Sequence, residues 1–172
     1  MSALTYSWFM EARTLHAPLN ALSAATRPQG IEIATLTTFD IPALAVLTLE
    51  AYGDDVTPEA LLETSEELRL TFEGAFGATT EDSFVGAWDG GTLVGAILVV
   101  RESPWDDAPD DPFVVDLIVA PDYRRRGIAT ALVAEVAGRC ASWGFGSLAL
   151  RLDSHHGGAN ELYSVLGFEE IA

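Results

Sequence analysis

The chain has 172 residues, about one domain's worth, and 49% of them are hydrophobic, enough to bury a real core. With 26 acidic residues against 9 basic ones the formal charge is -17, a field that repels a polyphosphate backbone, so nucleic acid is not an expected partner; the acidity suits solubility and a cationic substrate equally. Residues 92–100, the longest kind of apolar run present, are too few for a membrane-spanning helix, no basic segment leads into an apolar run at the N-terminus, and the single cysteine can form no internal disulfide, which together predict a soluble, cytoplasmic protein.

Ile31, Ile33 and Thr35 alternate as in a strand, after which Asp40 stands as an N-cap with Pro42 just inside a helix ending near Tyr52 and Gly53. Thr57 and Pro58 repeat the cap-then-proline start, and Leu61, Leu62, Leu68 and Phe72 give the second helix an apolar face. Residues 83–88 and 92–100 are β-rich runs joined by Asp89, Gly90 and Gly91, the turn chemistry of a hairpin. Residues 102–112 hold three prolines and four aspartates around Trp105 and read as a solvated loop. The almost wholly apolar stretch 113–119 suits a strand buried on both faces, closed by Pro121 and Asp122.

Farther on, Ile128, Leu132, Val136, Cys140 and Trp143 fall three or four apart and share one face of a helix over 127–142. That spacing puts Cys140 on the core side, whereas a catalytic thiolate needs exposure and a cationic neighbour, so the cysteine is structural. Residues 148–152 form another strand and 158–166 another helix, with Gly167 as its C′ residue before Phe168 opens a last short strand. His155 and His156 would point oppositely and no third ligand is evident, so no metal is expected.

From Asp116 to Thr130 a buried strand runs through a basic, glycine-containing turn into a helix, and such a turn can hold a phosphate. The first helical amides lack internal partners and carry the positive end of the dipole, and small Gly127 and Ala129 allow close approach to the backbone. Arg124, Arg125 and Arg126 concentrate three of the nine basic residues there. The turn has neither the Gly-Lys-Ser/Thr of a P-loop nor the G-x-G-x-x-G of a dinucleotide fold. Arg124-x-x-Gly127-x-Ala129 instead resembles the R/Q-x-x-G-x-G/A signature of the GNAT superfamily of N-acetyltransferases, and the residues from Asp116 to Val119 and from Pro121 to Arg124 look like its usual context. Downstream, the run Ala159, Asn160, Glu161, Leu162, Tyr163, Ser164, Val165, Leu166, Gly167, Phe168 resembles that family's A-x-x-L-Y-x-x-x-G-F helix. Where the family often has Asn three residues before the alanine, this chain has His156.

The resemblance implies an α/β fold of the α+β type, a mixed, mostly antiparallel sheet flanked by helices, and acetyl-CoA as co-substrate with no metal. It assigns CoA contacts to Leu117, Ile118, Val119, Arg124, Arg125, Arg126, Gly127, Ile128, Ala129, Thr130 and Asn160, with the turn gripping the pyrophosphate. Members of the family attack the thioester directly with the acceptor amine. The resemblance makes the amide near Val119 the oxyanion donor and Tyr163 the acid that protonates the leaving sulfur; at a pKa of about 10 a tyrosine can donate to a thiolate of about 8.5. An alkylamine of pKa about 10.4 is neutral in roughly one molecule in 2,500 at pH 7, about 4.6 kcal/mol of barrier, so a base is needed. Asp116 is the candidate, with Glu50, Asp54 and Asp55, near the loop that faces the acceptor in similar enzymes, as competitors. The other reading is a non-catalytic acyl-CoA sensor of the same fold.

In the family the strand begun by Phe168 is followed by one more, which inserts beside the strand equivalent to 148–152, and this sequence has no such segment before Ala172. Residues 5–13 are rich in strand formers and resemble that closing strand, so a permuted order is expected: an extension over 1–30, made of a strand near 5–13 and a linker, and an acyltransferase domain over 31–172. A linker over 14–30 could reach within one chain or into a second copy, allowing a homodimer by strand exchange.

Overall fold

The computed structural model describes residues 12–22, 26–102, 106, 110–153 and 157–171. Seven strands form one sheet: β1 (Ala12–Pro18), β2 (Ile31–Thr35), β3 (Phe84–Asp89), β4 (Thr92–Val100), β5 (Phe113–Val119), β6 (Ser147–Asp153) and β7 (Glu169–Glu170). Their order is β2-β3-β4-β5-β6-β1-β7, antiparallel throughout except for the parallel β5–β6 pair. The helices are α1 (Leu19–Leu22), α2 (Ile41–Tyr52), α3 (Pro58–Phe72), α4 (Ile128–Ser142) and α5 (Gly157–Leu166). Among the described residues no helix is long and apolar enough to cross a membrane.

The period-2 alternation of β4 divides the core. Ile97 and Val99 face Ile128, Leu132, Val136 and Cys140 of α4, while Ala96 and Leu98 lie with Leu44 and Leu47 of α2 and Leu68 of α3 on the other side. Each of these large side chains is at most 2% exposed, and burial of one contributes about 1.5–3 kcal/mol. A Cβ on Gly95 would fall 2.9 Å from Ile128 Cγ2 and 3.2 Å from Leu132 Cδ1, so the glycine lets the first turn of α4 lie directly on β4.

Residues 12–18 pair between β6 and β7, whereas the strand was expected near 5–13. Residues 14–18, read as linker, are strand: Arg13 pairs with Leu152, Leu15 with Leu150 and Ala17 with Leu148, and Leu15 and His16 pair with Glu170 and Glu169. Leu15 and Ala17 are buried and decide that register, because a one-residue slip would turn both to the opposite face. The aromatic run 5–11 that carried the expectation lies outside the described residues.

Two helix starts repay attention. Thr57 caps α3 as expected, its Oγ1 accepting from Ala60 N at 3.1 Å. Asp40 holds the N-cap position of α2 as expected, but its side chain makes no cap hydrogen bond there. A 3₁₀ turn over Thr38–Asp40 precedes that helix, Thr37 is its cap, and the Asp40 carboxylate reaches back to Thr37 N at 2.8 Å to close a capping box.

Candidate functional site

The site begins with an irregularity in the central strand. Between β4 and β5 the register shifts, so that Leu98 faces Asp116 but Val99 faces Val114, and Val115 is an extra residue. Such a bulge bends a strand and re-aims its side chains. Next to it, β5 and β6 pair only at Phe113 with Ala149 and Val114 with Leu150. Beyond Val114 the strands part, so among the described residues β5 carries a stretch with no β6 partner: one wall of a wedge open toward the end of the sheet.

At the mouth of that wedge the chain makes a 3₁₀ turn over Pro121–Tyr123 and enters α4. Arg125 has φ 63 and Gly127 φ 82, both in the left-handed region, and for a non-glycine such as Arg125 that conformation costs about 1 kcal/mol or more. Gly127 caps α4 without any side-chain hydrogen bond to the first amides. A side chain on Gly127 would meet only Pro28 Cγ, at 3.8 Å from its Cβ, so the turn presents backbone donors rather than bulk. An uncapped helix start beside three arginines fits a diphosphate in charge and in hydrogen-bonding sense.

The individual side chains divide. Ile128, 1% exposed, is a core anchor and leaves only its backbone to a ligand, while Ala129 and Thr130 are half-buried. Arg124 is exposed, yet its guanidinium is turned to protein carbonyls: Nε donates to Val119 O at 3.2 Å and Nη2 to Ala51 O at 2.6 Å. Arg126 stacks its guanidinium 5.0 Å over the ring of Tyr123, whose hydroxyl donates to Asp89 Oδ2 at 2.5 Å. That hydrogen bond is the main reason the Tyr123 pKa is raised. Ile118 is buried against α2 and α3, and Leu117 and Val119 are half-buried against the α4 side. Asn160 falls in α5, with its side chain outside the described residues, as are His155 and His156. Among the described residues no group of histidines, cysteines or carboxylates could hold a metal ion.

Asp116 and Tyr163, expected as base and acid, are both buried. Asp116, 7% exposed, accepts a hydrogen bond from the Tyr52 hydroxyl at 2.7 Å. Tyr163, 6% exposed, sits edge-on to Phe168 with ring centroids 5.4 Å apart. Burial first, and then the charge of Asp116, push the Tyr163 pKa well up, so its hydroxyl stays protonated at neutral pH. Glu50, Asp54 and Asp55 are exposed around the Gly53 turn that ends α2. Cys140 is fully buried and its thiol is pushed up to about 12, mainly by desolvation, which removes it as a nucleophile. Tyr52 carried no signal in the sequence: an aromatic residue ahead of a helix-ending glycine is ordinary, and its partner lies 64 positions away.

Over residues 46–168 the chain matches the family model for the acetyltransferase (GNAT) family. No curated protein sequence matches it significantly. The fold is similar to that of a GCN5-related N-acetyltransferase from Sphaerobacter thermophilus, with a TM-score of 0.67 and 24% identity over 93% of this chain and 48% of that one; this chain thus spans about half the length of that protein. It is also similar to the ribosomal-protein-S18-alanine N-acetyltransferase of Escherichia coli, with a TM-score of 0.61 and 20% identity over 83% of this chain and 79% of that one. The PaiA N-acetyltransferase of Thermoplasma acidophilum, solved in complex with coenzyme A, gives a TM-score of 0.61 and 19% identity over 81% of this chain and 89% of that one.

Proposed function

Since the chain belongs to the GNAT family of acetyltransferases, we propose that it moves an acetyl group from acetyl-CoA to an amine by direct attack, in the cytoplasm, with residues 31–172 carrying the chemistry. The observation that carries this reading is the start of α4 within the span matched to the family: Gly127, in the left-handed region, leaves the first helical amides without a side-chain cap beside exposed Arg125 and Arg126, which suits a diphosphate. Asp116 and Tyr163, both buried, are the residues read as its base and acid.

In this reading the α4 start holds the pyrophosphate through its backbone amides, with Arg125 and Arg126 supplying charge. Asp116 takes a proton from the ammonium form of the acceptor, directly or through water. The amine nitrogen then bonds to the thioester carbonyl carbon, the backbone amide near Val119 stabilises the oxyanion, and the nitrogen loses its second proton to solvent; as the carbonyl re-forms and the C–S bond breaks, Tyr163 gives its proton to sulfur and is reprotonated from solvent. Exposed Glu50, Asp54 and Asp55 beside the end of α2 favour a cationic acceptor. The coenzyme A complex of the Thermoplasma acidophilum protein and the alanine acceptor named for the Escherichia coli enzyme support both halves of the reaction.

The test is CoA release from acetyl-CoA across a panel of spermidine, neamine, an alanyl peptide and a lysyl peptide. With the amine that is turned over, Tyr163→Phe should lower kcat by about 100-fold or more while CoA affinity by calorimetry stays within about twofold. Wild-type turnover in that variant overturns the acid assignment. Tight CoA binding with no release toward any amine would make the protein an acyl-CoA sensor instead.

A further inference from the structure

The end of helix α2 touches the catalytic strand at two points. Gly53, at φ 75, closes the helix, with its N–H on Glu50 O at 3.2 Å and that of Asp54 on Leu49 O at 2.9 Å. Of the two residues just before it, Tyr52 bonds to β5 directly and Ala51 is linked to its end through Arg124. Arg124 bridges Ala51 O to Val119 O, and the Tyr52 hydroxyl lies 2.7 Å from Asp116 Oδ1. Asp116 and Val119 stand three residues apart on the stretch of β5 that follows the bulge and has lost its β6 neighbour. That stretch is tied instead to α2, by the Tyr52 side chain and by Arg124 of the following turn.

We propose that Tyr52 is a positioning residue for Asp116: its hydroxyl holds the buried carboxylate ionised and aimed, with Arg124 securing the helix end that carries it. The proposal rests on the reading of Asp116 as base. A buried carboxylate is disfavoured as an anion unless donors compensate the lost water, and a short hydrogen bond from a neutral phenol supplies that compensation without adding a charge. A cationic donor in the same place would hold the proton affinity too low for a base. Two phenols from different helices bear on Asp116, Tyr52 from α2 through its hydrogen bond and Tyr163 from α5, whose pKa the Asp116 charge helps raise. What each phenol does to the carboxylate is separable by substitution.

The tie also crosses the boundary between the two substrates. Arg124 belongs to the turn read as the pyrophosphate grip, Ala51 and Tyr52 to the helix whose following loop carries Asp54 and Asp55. Positioning through Tyr52 therefore makes the strength of the base sensitive to how that helix end is seated.

The experiment is an NMR titration of the full chain with carbon-13 at the aspartate carboxyl and tyrosine ζ positions, in which the Asp116 signal is identified by its loss in Asp116→Asn. In the wild type, the Tyr52 Cζ shift should follow the titration of Asp116 with the same midpoint. In Tyr52→Phe the Asp116 midpoint should rise by about one unit, and the acid limb of kcat/KM for the turned-over amine should move up with it. An unchanged midpoint, or a Tyr52 signal blind to Asp116 in the wild type, overturns the proposal; the second measurement needs no variant to fold. The outcome for the base assignment is separate: Asp116→Asn with undiminished turnover removes Asp116 as base even where the Tyr52 coupling is observed.

Discussion

The two ends of helix α4 are built from opposite chemistry. At its C-terminal end nearly every polar group is occupied by protein. Arg139 donates to Thr35 Oγ1 at 2.7 Å, to the Asp82 carbonyl at 2.9 Å and to Glu135, and Trp143 Nε1 donates to Asp82 Oδ2 at 3.2 Å. Arg101 stacks 5.6 Å over the Trp143 ring. At the N-terminal end Gly127 supplies no side-chain cap, and the arginines lie over Tyr123 or reach away to carbonyls. Both ends carry arginines, so the difference is not composition. One end spends its donors on the fold and the other leaves its first backbone donors without a side-chain cap, which is what the proposed pyrophosphate grip needs.

Substitutions at the open end should damage binding and spare the fold. Gly127→Glu places a negative charge against the pyrophosphate at a φ that side chains rarely adopt, and should weaken CoA binding by at least about 100-fold in calorimetry, with about 1 kcal/mol lost in stability. Gly127→Ala shares the backbone strain without the charge, and a loss as large as that of the glutamate would refute an electrostatic role for the turn.

The closed end should behave in reverse. Asp82→Ala removes the acceptor of Trp143 and of the Thr80 hydroxyl, which should cost about 1–2 kcal/mol in denaturant unfolding and leave CoA affinity untouched. The Thr80 hydrogen bond, against burial and with help from Trp143 and Arg139, holds the Asp82 carboxyl below its ordinary 3.8. Its folded pKa being the lower one, the carboxylate contributes stability above the unfolded value and loses it as pH falls through the folded value. Asp82→Asn should accordingly lose less stability than the wild type on going from pH 5 to pH 3, and an identical acid profile would contradict the network.

The smallest effect belongs to Arg126→Ala. Its guanidinium is exposed and screened, so CoA affinity should fall about threefold at low salt and by less at 0.5 M. A salt-independent loss would mean that the stacking of Arg126 on Tyr123 shapes the turn rather than charging it.

Much of this was open to reading in the chain. Local patterns survive folding when packing follows the same period: the 3.6-residue spacing of Ile128, Leu132, Val136 and Cys140 is the face that α4 buries, and the almost wholly apolar run of β5, broken only by Asp116, begins and ends where expected. The turn glycines and the Thr57 cap are equally local, since each answers a backbone need within three residues. Partner choice over long separations is not. The 5–13 segment had the stronger strand composition, but the register of β1 is decided by which residues, Leu15 and Ala17, meet β6 on the buried side. Asp40 holds the cap position of α2 that its chemistry suggested, yet its carboxylate closes the box opened by Thr37.

The sequence by itself determined the family, the order of elements from β2 to β7 and the residues around which acetyl transfer is proposed, because those depend on short motifs and on periodicity. Only the tertiary structure decided what those residues touch: that Arg124 reaches carbonyls of two elements, that the charge of Asp116 helps raise Tyr163, and that Tyr52 of α2 bonds to Asp116 on β5. The reason is physical, for a hydrogen bond is specified by angstroms and a motif only by spacing, and the bulge at Val115 that aims Asp116 comes from a pairing the strand cannot make alone.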